Sequence, residues 1–135
     1  MLRTCLIIFW ILLLVPAHAD ERAKAGPVVA SLVFNVLKYV RFPDATAQSE
    51  LRLCVLNDLD EVSQAMRSLQ GKVLFERPVQ VLVLADGSAL DRCQVVFFSN
   101  FDQGVYRYKV QQLRLQTCLT ISDLPNFAEA GGIVG

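Results

Sequence analysis

Four short apolar runs, separated by helical or polar segments, constrain the fold of this chain more than any other feature. The runs lie at residues 51–56, 78–84, 93–99 and 117–121. Runs of this length, bounded by turn-forming residues, favour strands over helices. Strands that alternate with helices are typical of βαβ units, which build parallel sheets. The sequence therefore predicts an α/β fold with a mainly parallel sheet and helices on both faces.

A further helix precedes this alternation. Apolar residues recur at spacings of three and four from Val28 to Val40, which predicts an N-terminal amphipathic helix. Pro27 suits the first turn of that helix, because its missing N–H would have no partner there. Phe42 precedes a proline and is disfavoured in the α region, so the helix should end there.

This first helix lies outside the βαβ alternation, so it must cover a sheet face or meet a partner. Tyr39 and Phe42 add aromatic area at its end, and aromatic side chains tend to lie at the centre of interfaces. We predict that the helix contributes to self-association or to partner binding, with Tyr39 and Phe42 as contact residues.

Two more helices follow from the pattern. The first should be capped by Asn57 or Asp58 and should end at Gly71. Its inner face is formed by apolar residues, namely Leu59, Val62, Met66 and Leu69. A later helix should run from residue 99 or 100 to about 115, with one apolar face formed by Tyr106, Val110 and Leu113.

The N-terminus has the three parts of a secretory signal peptide. Arg3 gives it one positive charge, an apolar run covers residues 5–15, and Ala17 and Ala19 supply small residues at a cleavage site. The run is too short to span a bilayer, although an uncleaved N-terminal anchor is the alternative. We predict a signal peptide at 1–19, export, and a single folded domain at 20–135.

Charge and histidine content exclude several functions. Loss of Arg3 with the signal leaves 12 basic against 13 acidic residues, which is no basic surplus for holding nucleic acid. The only histidine, His18, is lost with the signal. The mature chain then has no imidazole for a metal site, a Ser-His-Asp triad or a Cys-His pair. We predict no catalytic residues, no metal and no cofactor.

Two polar or flexible clusters have a functional and a structural interpretation. Asp58, Asp60 and Glu61 could form an acid/base pair, but a solvated helix N-terminus is the favoured interpretation. The glycines at 131, 132 and 135 lack the order of a phosphate-binding loop. They predict a tight turn or a close backbone approach instead.

Three cysteines remain after signal cleavage. Cys54 and Cys93 lie on the first and third strand runs, which are adjacent in common doubly wound orders. A disulfide between them is therefore geometrically allowed, and two buried free thiols are the alternative. Cys118 lies in an apolar strand, where we expect an inert buried thiol.

Four segments taken together resemble the YfiR family. They are Leu-Lys-Tyr-Val-Arg-Phe-Pro at 37–43, the apolar strand at 51–56, Asp-Arg-Cys-Gln-Val-Val-Phe-Phe-Ser at 91–99, and Leu-Thr-Ile-Ser-Asp at 119–123 with Gly-Gly-Ile-Val-Gly at 131–135. The resemblance covers nearly all of the mature chain. It implies a dimeric periplasmic protein with disulfides, and Cys54 and Cys93 match a family pair.

The resemblance also implies a function. Members of the family bind the periplasmic part of an inner-membrane diguanylate cyclase and repress it, which lowers cyclic di-GMP and biofilm formation. Such systems can include an OmpA-like outer-membrane lipoprotein that sequesters the repressor. The alternative is a periplasmic small-molecule binding or sensor module, with a crevice near Asn57, Ser99 and Asp123 at the carboxyl ends of the strands. A thiol-based enzyme is the third hypothesis.

The family pattern continues beyond its Gly-Gly-[MI]-[IV]-Gly segment into a further strand and a final helix. Here that segment is residues 131–135. The resemblance therefore implies that the C-terminal strand and helix are missing, and we expect a form of 135 residues to be marginally stable and a poor repressor.

Overall fold

The computed structural model describes residues 18–42, 48–56, 59–85, 90–99, 103–113, 116 and 118–135. The predicted signal peptide lies outside these residues except for its last two, which begin the first helix. Within the described part, no helix is long and apolar enough to cross a membrane. The elements are α1 (His18–Leu37), β1 (Leu51–Leu56), α2 (Glu61–Ala65), β2 (Val73–Leu74), β3 (Arg77–Leu84), β4 (Val95–Phe98), α3 (Gln103–Leu113) and β5 (Leu119–Ser122).

The five strands form one sheet in the order β2-β3-β1-β4-β5. β1 runs parallel to both β3 and β4, β4 runs parallel to β5, and only β2 is antiparallel to its neighbour. The predicted α/β fold with a mainly parallel sheet is confirmed. β1 and β4 are adjacent, as in the doubly wound order 2-1-3-4-5 when the four parallel strands are numbered along the chain. A parallel bridge joins Val134 to Ile121, where the sequence predicts a further strand to start.

Each face of the sheet carries its own apolar core. On one face, Leu53 and Val55 of β1 pack in the same cluster as Val33 and Leu37 of α1 and the buried side of α2. On the other face, Cys54 and Leu56 of β1 pack with α3 and Phe127. This division follows from the period of two along β1, which sends alternate side chains to opposite faces. Tyr106, Val110 and Leu113 of α3 are buried as predicted.

Helix α1 lies on a sheet face, but its predicted start was wrong. It begins at His18 and contains Pro27 in its interior. Residues 21–25 are Glu, Arg, Ala, Lys and Ala, all strong helix formers. They extend the helix upstream even though the proline removes one backbone hydrogen bond.

Helix α2 is capped by Asp60 and not by Asn57 or Asp58, which lie outside the described residues. The Oδ1 atom of Asp60 accepts a hydrogen bond from the Ser63 N–H at 2.8 Å. A 3-10 turn at Met66–Leu69 extends the helix, and Gly71 follows with a φ of 78°. Leu59 was predicted to face inward but is exposed, because the cap leaves it before the first turn.

The β2–β3 hairpin was not predicted. Its two-residue turn consists of Phe75 and Glu76, which both have positive φ, 49° and 64°. Such turns usually take Asn or Gly, so the sequence gives no signal for one here. Beyond the short β2, the side chain of Gln70 protects the sheet edge, because its Oε1 accepts a hydrogen bond from the Val81 N–H at 2.7 Å.

Candidate functional site

A disulfide joins the two central strands of the sheet. Cys54 in β1 and Cys93, two residues before β4, are bonded with a Cα–Cα distance of 5.9 Å. Both side chains are buried in the apolar core between the sheet and α3, which we call the α3-side core. The bond therefore ties β1 to the segment that leads into β4, and so fixes the register of these two neighbouring strands.

The third cysteine of this region is a buried free thiol. Cys118 lies immediately before β5 and belongs to the α3-side core. Burial in apolar surroundings raises the pKa of the Cys118 thiol to about 11. Since the thiolate is the reactive form, this side chain is poorly suited to nucleophilic chemistry at neutral pH.

We predict that Cys118 is alkylated about 100-fold more slowly in the folded protein than in urea at pH 8, because its thiolate fraction is that much smaller. Mass spectrometry after iodoacetamide treatment without reductant measures this directly. Stability should also fall as pH rises from about 9 towards 11, because only the unfolded thiol ionises in that window. Equal alkylation rates in the two states would show that the thiol is accessible.

The carboxyl ends of β1 and β4 were predicted to form a small-molecule crevice. There, Asp60 Oδ2 accepts a hydrogen bond from the Ser99 hydroxyl at 2.6 Å, and Oδ1 accepts one from the Ser63 hydroxyl at 2.5 Å. Ser63 and Ser99 are fully buried, while Asn57 lies outside the described residues. Ser99, one of the three residues predicted for the crevice, is therefore buried and bound to Asp60, while Asp123 is exposed.

The glycine segment makes the close approach that was predicted for it. Gly131 has a φ of 101°, and a Cβ added to Gly132 would lie 2.1 Å from the ring of Phe127. That ring packs against Phe98 and Tyr106 with centroid distances of 5.5 and 5.9 Å. These glycines therefore serve the packing of the C-terminal turn against the core.

Helix α1 exposes two aliphatic side chains on the side that points away from its core, beside the polar Ser31 and Asn35. Val28 and Leu32 are 67% and 61% exposed, while Val33 and Leu37 are buried. Each exposed residue is five positions before a buried one, a rotation of about 140° around the helix. Tyr39, in the turn that follows the helix, is 88% exposed. We call Val28, Leu32 and Tyr39 the outer stripe.

The two predicted contact residues differ in their surroundings. Tyr39 is on the outer stripe, whereas Phe42 is only 8% exposed and belongs to the core under α1. The edge of Phe42 also lines a cavity with Arg41, Phe75 and Arg77. Sequence reasoning missed Phe75 and Arg77, because an arginine beside a proline at a strand start is usually solvated.

The described part of the chain contains no cluster of side chains suited to a metal ion. Within it, no group of three or more His, Cys, Asp or Glu side chains is arranged to hold an ion. The described residues form a sheet that a disulfide crosslinks, and they expose apolar and cationic side chains along α1 and the β2–β3 hairpin.

Comparison with known proteins agrees with the resemblance in the sequence. A search among curated proteins gave no match. The family model of the YfiR/HmsC-like domain matches residues 27–135, from α1 to the last residue of the chain. Proteins of this kind are in general regulatory and not catalytic. The chain thus belongs to the YfiR/HmsC-like family.

Proposed function

We propose that this protein is a periplasmic regulator that binds the periplasmic domain of an inner-membrane diguanylate cyclase and holds the enzyme inactive. Its presence then lowers cyclic di-GMP and biofilm formation. The observation that carries this proposal is the family match across residues 27–135. An OmpA-like outer-membrane lipoprotein is the partner that would sequester the repressor.

Two features of the chain support a periplasmic location. The first nineteen residues have the charge, apolar run and small residues of a cleavable signal. The Cys54–Cys93 disulfide suits an oxidising compartment. Export would place the domain on the same side of the inner membrane as the sensory part of a cyclase.

The test is a deletion of the gene in strains with and without a candidate inner-membrane diguanylate cyclase of the same organism. Cellular cyclic di-GMP should rise on deletion only where the cyclase is present, and the mature protein starting at Asp20 should bind the purified periplasmic domain of that cyclase. An equal rise in both strains, or no binding, would refute the proposal.

We also propose that the protein forms a homodimer through the outer stripe. Val28 and Leu32 present a row of exposed aliphatic side chains, and Tyr39 adds a ring at the end of that row. Aliphatic side chains on the side opposite the core face favour a helix that is covered on both sides. The sheet covers one face, and a second copy of α1 would cover the other.

Tyr39→Ala should weaken dimerisation at least tenfold while leaving the melting temperature unchanged, because the ring is exposed in the monomer and would be buried in the dimer. Sedimentation equilibrium of the mature protein measures the dissociation constant. Tyr108→Ala is the matched control, since Tyr108 is an exposed tyrosine on α3 across the sheet. Unchanged dimerisation in Tyr39→Ala, or equal weakening in both variants, would contradict the assignment.

A further inference from the structure

A cavity of about 360 Å³ lies between the segment that follows α1 and the β2–β3 hairpin, at the start of β3. Arg41, Phe42, Phe75 and Arg77 line it. This is the low end of the range of cavities that hold ligands or anchoring side chains. Its lining surface is mostly apolar, and two of the four lining residues are arginines. This combination suits an apolar group that adjoins an anionic one.

The guanidinium of Arg77 is the most informative group in this cavity. Arg77 is only 7% exposed, and its buried Nε has no hydrogen bond partner among the described residues. Buried arginine donors are almost always paired, because an unpaired buried donor loses its water without compensation. A carboxylate matches the forked geometry of a guanidinium and would supply the missing acceptor.

The turn of the hairpin beside the cavity has a backbone conformation that its residues disfavour. Phe75 has a φ of 49°, which is unusual for a bulky aromatic residue. Its ring is half exposed at the cavity. Local strain of this kind persists only where the surroundings enforce it, and it is concentrated at binding and catalytic sites.

Positive charge extends beyond the cavity along the same two segments. The Nζ atoms of Lys38 and Lys72 lie 5.0 and 4.9 Å from the centroid of the Phe34 ring. Lys38 precedes Arg41 at the end of α1, and Lys72 precedes the β2–β3 hairpin. The chain as a whole has no net charge, so this end of the molecule has a local positive surplus that favours an acidic partner.

We propose that this cavity receives an aspartate or glutamate side chain of the cyclase's periplasmic domain, with an adjoining apolar side chain against Phe75. The inference rests on the proposed function. Exposed Val73 beside the hairpin enlarges the apolar rim beyond what a small molecule would cover. Arginine and aromatic anchors in a pocket with such a rim are typical of the centre of a protein–protein interface. A membrane surface would engage the exposed lysines but could not reach a guanidinium so deeply buried.

The decisive variant is Arg77→Met, which keeps the length of the side chain and removes its charge. Binding of the mature protein to the purified periplasmic domain of the candidate cyclase is measured by calorimetry. We expect at least a tenfold loss of affinity with an unchanged or higher melting temperature, because the Nε donor that is lost has no partner among the described residues. Arg41→Ala should lose affinity in the same way. Arg107→Ala, an exposed arginine on α3, should bind as the wild type does.

Several outcomes would overturn the proposal. Wild-type affinity in both Arg77→Met and Arg41→Ala would show that the cavity takes no part in binding. If Arg77→Met lowers the melting temperature of the free protein, the guanidinium is already paired within the chain and does not await a partner's carboxylate. If Arg77→Met loses binding to phosphatidylglycerol vesicles but not to the cyclase domain, the partner is a membrane. Failure of the wild-type protein to bind the cyclase domain would instead refute the proposed function, and this inference with it.

Discussion

Replacing both disulfide cysteines, Cys54→Ala with Cys93→Ala, is expected to lower the free energy of unfolding by about 4 kcal/mol. The bond closes a loop between residues 39 positions apart, and its loss frees that loop in the unfolded chain. Alanine is the better replacement because serine would bury unpaired hydroxyl groups at these sites. Urea denaturation of the oxidised wild type and the double variant measures the difference.

Reduced wild-type protein should unfold close to the double variant, since both lack the same crosslink. Cys54→Ala alone should be similarly destabilised and should also form intermolecular disulfides through Cys93. If the oxidised wild type and the double variant unfold at the same urea concentration, the crosslink contributes no stability. Free thiols at both positions in protein purified from the periplasm would show that the bond does not form there.

Gly132→Ala is expected to cost on the order of 3 kcal/mol, the upper end for an overpacked core. The added methyl group would lie 2.1 Å from the buried ring of Phe127, which cannot move without disturbing Phe98 and Tyr106. Thermal and urea unfolding measure the loss. Near-ultraviolet circular dichroism should change as well, because the affected rings are aromatic.

Gly71→Ala is the matched control for that variant. Gly71 has a φ of 78° but nothing within 4 Å of an added Cβ, so its substitution should cost only the backbone strain of about 1 kcal/mol. The order of the two effects is the discriminating result. If Gly132→Ala is no more destabilising than Gly71→Ala, the glycine segment does not pack on Phe127 in solution.

The parts of the fold that could be predicted are those that local patterns determine. The period of two in β1 and the spacing of Tyr106, Val110 and Leu113 in α3 each depend on a single segment. The adjacency of β1 and β4 was expected from doubly wound orders, which made a Cys54–Cys93 bond possible, and the family resemblance pointed to the same pair.

The rotation of α1 could not be predicted, because a contact between two helices sets it. A Cβ added to Gly26 would lie 2.9 Å from the carbonyl oxygen of Glu61, so α1 approaches the start of α2 closely at this glycine. That approach turns Val33 towards the core and leaves Val28 outside. Both valines fit the same apolar spacing, and the sequence alone could not separate them.

The candidate site was predicted only in part for a similar reason. Tyr39 was predicted as a contact residue because it is aromatic and lies at a helix end, and its role stays a prediction. Arg77 and Phe75 depend on a hairpin whose turn residues give no local signal. The burial of Arg77 arises only when that hairpin folds beside the end of α1, which is a tertiary event.

The disulfide has a consequence for how an exported chain matures. A chain that crosses the inner membrane amino terminus first presents its cysteines to the oxidising machinery one after another. If this chain is exported and cleaved as proposed, Cys54 emerges first, then Cys93 and then Cys118. The native bond joins the first two, so simple oxidation in order of appearance gives the correct pair. Maturation should therefore need a thiol oxidase but no disulfide isomerase.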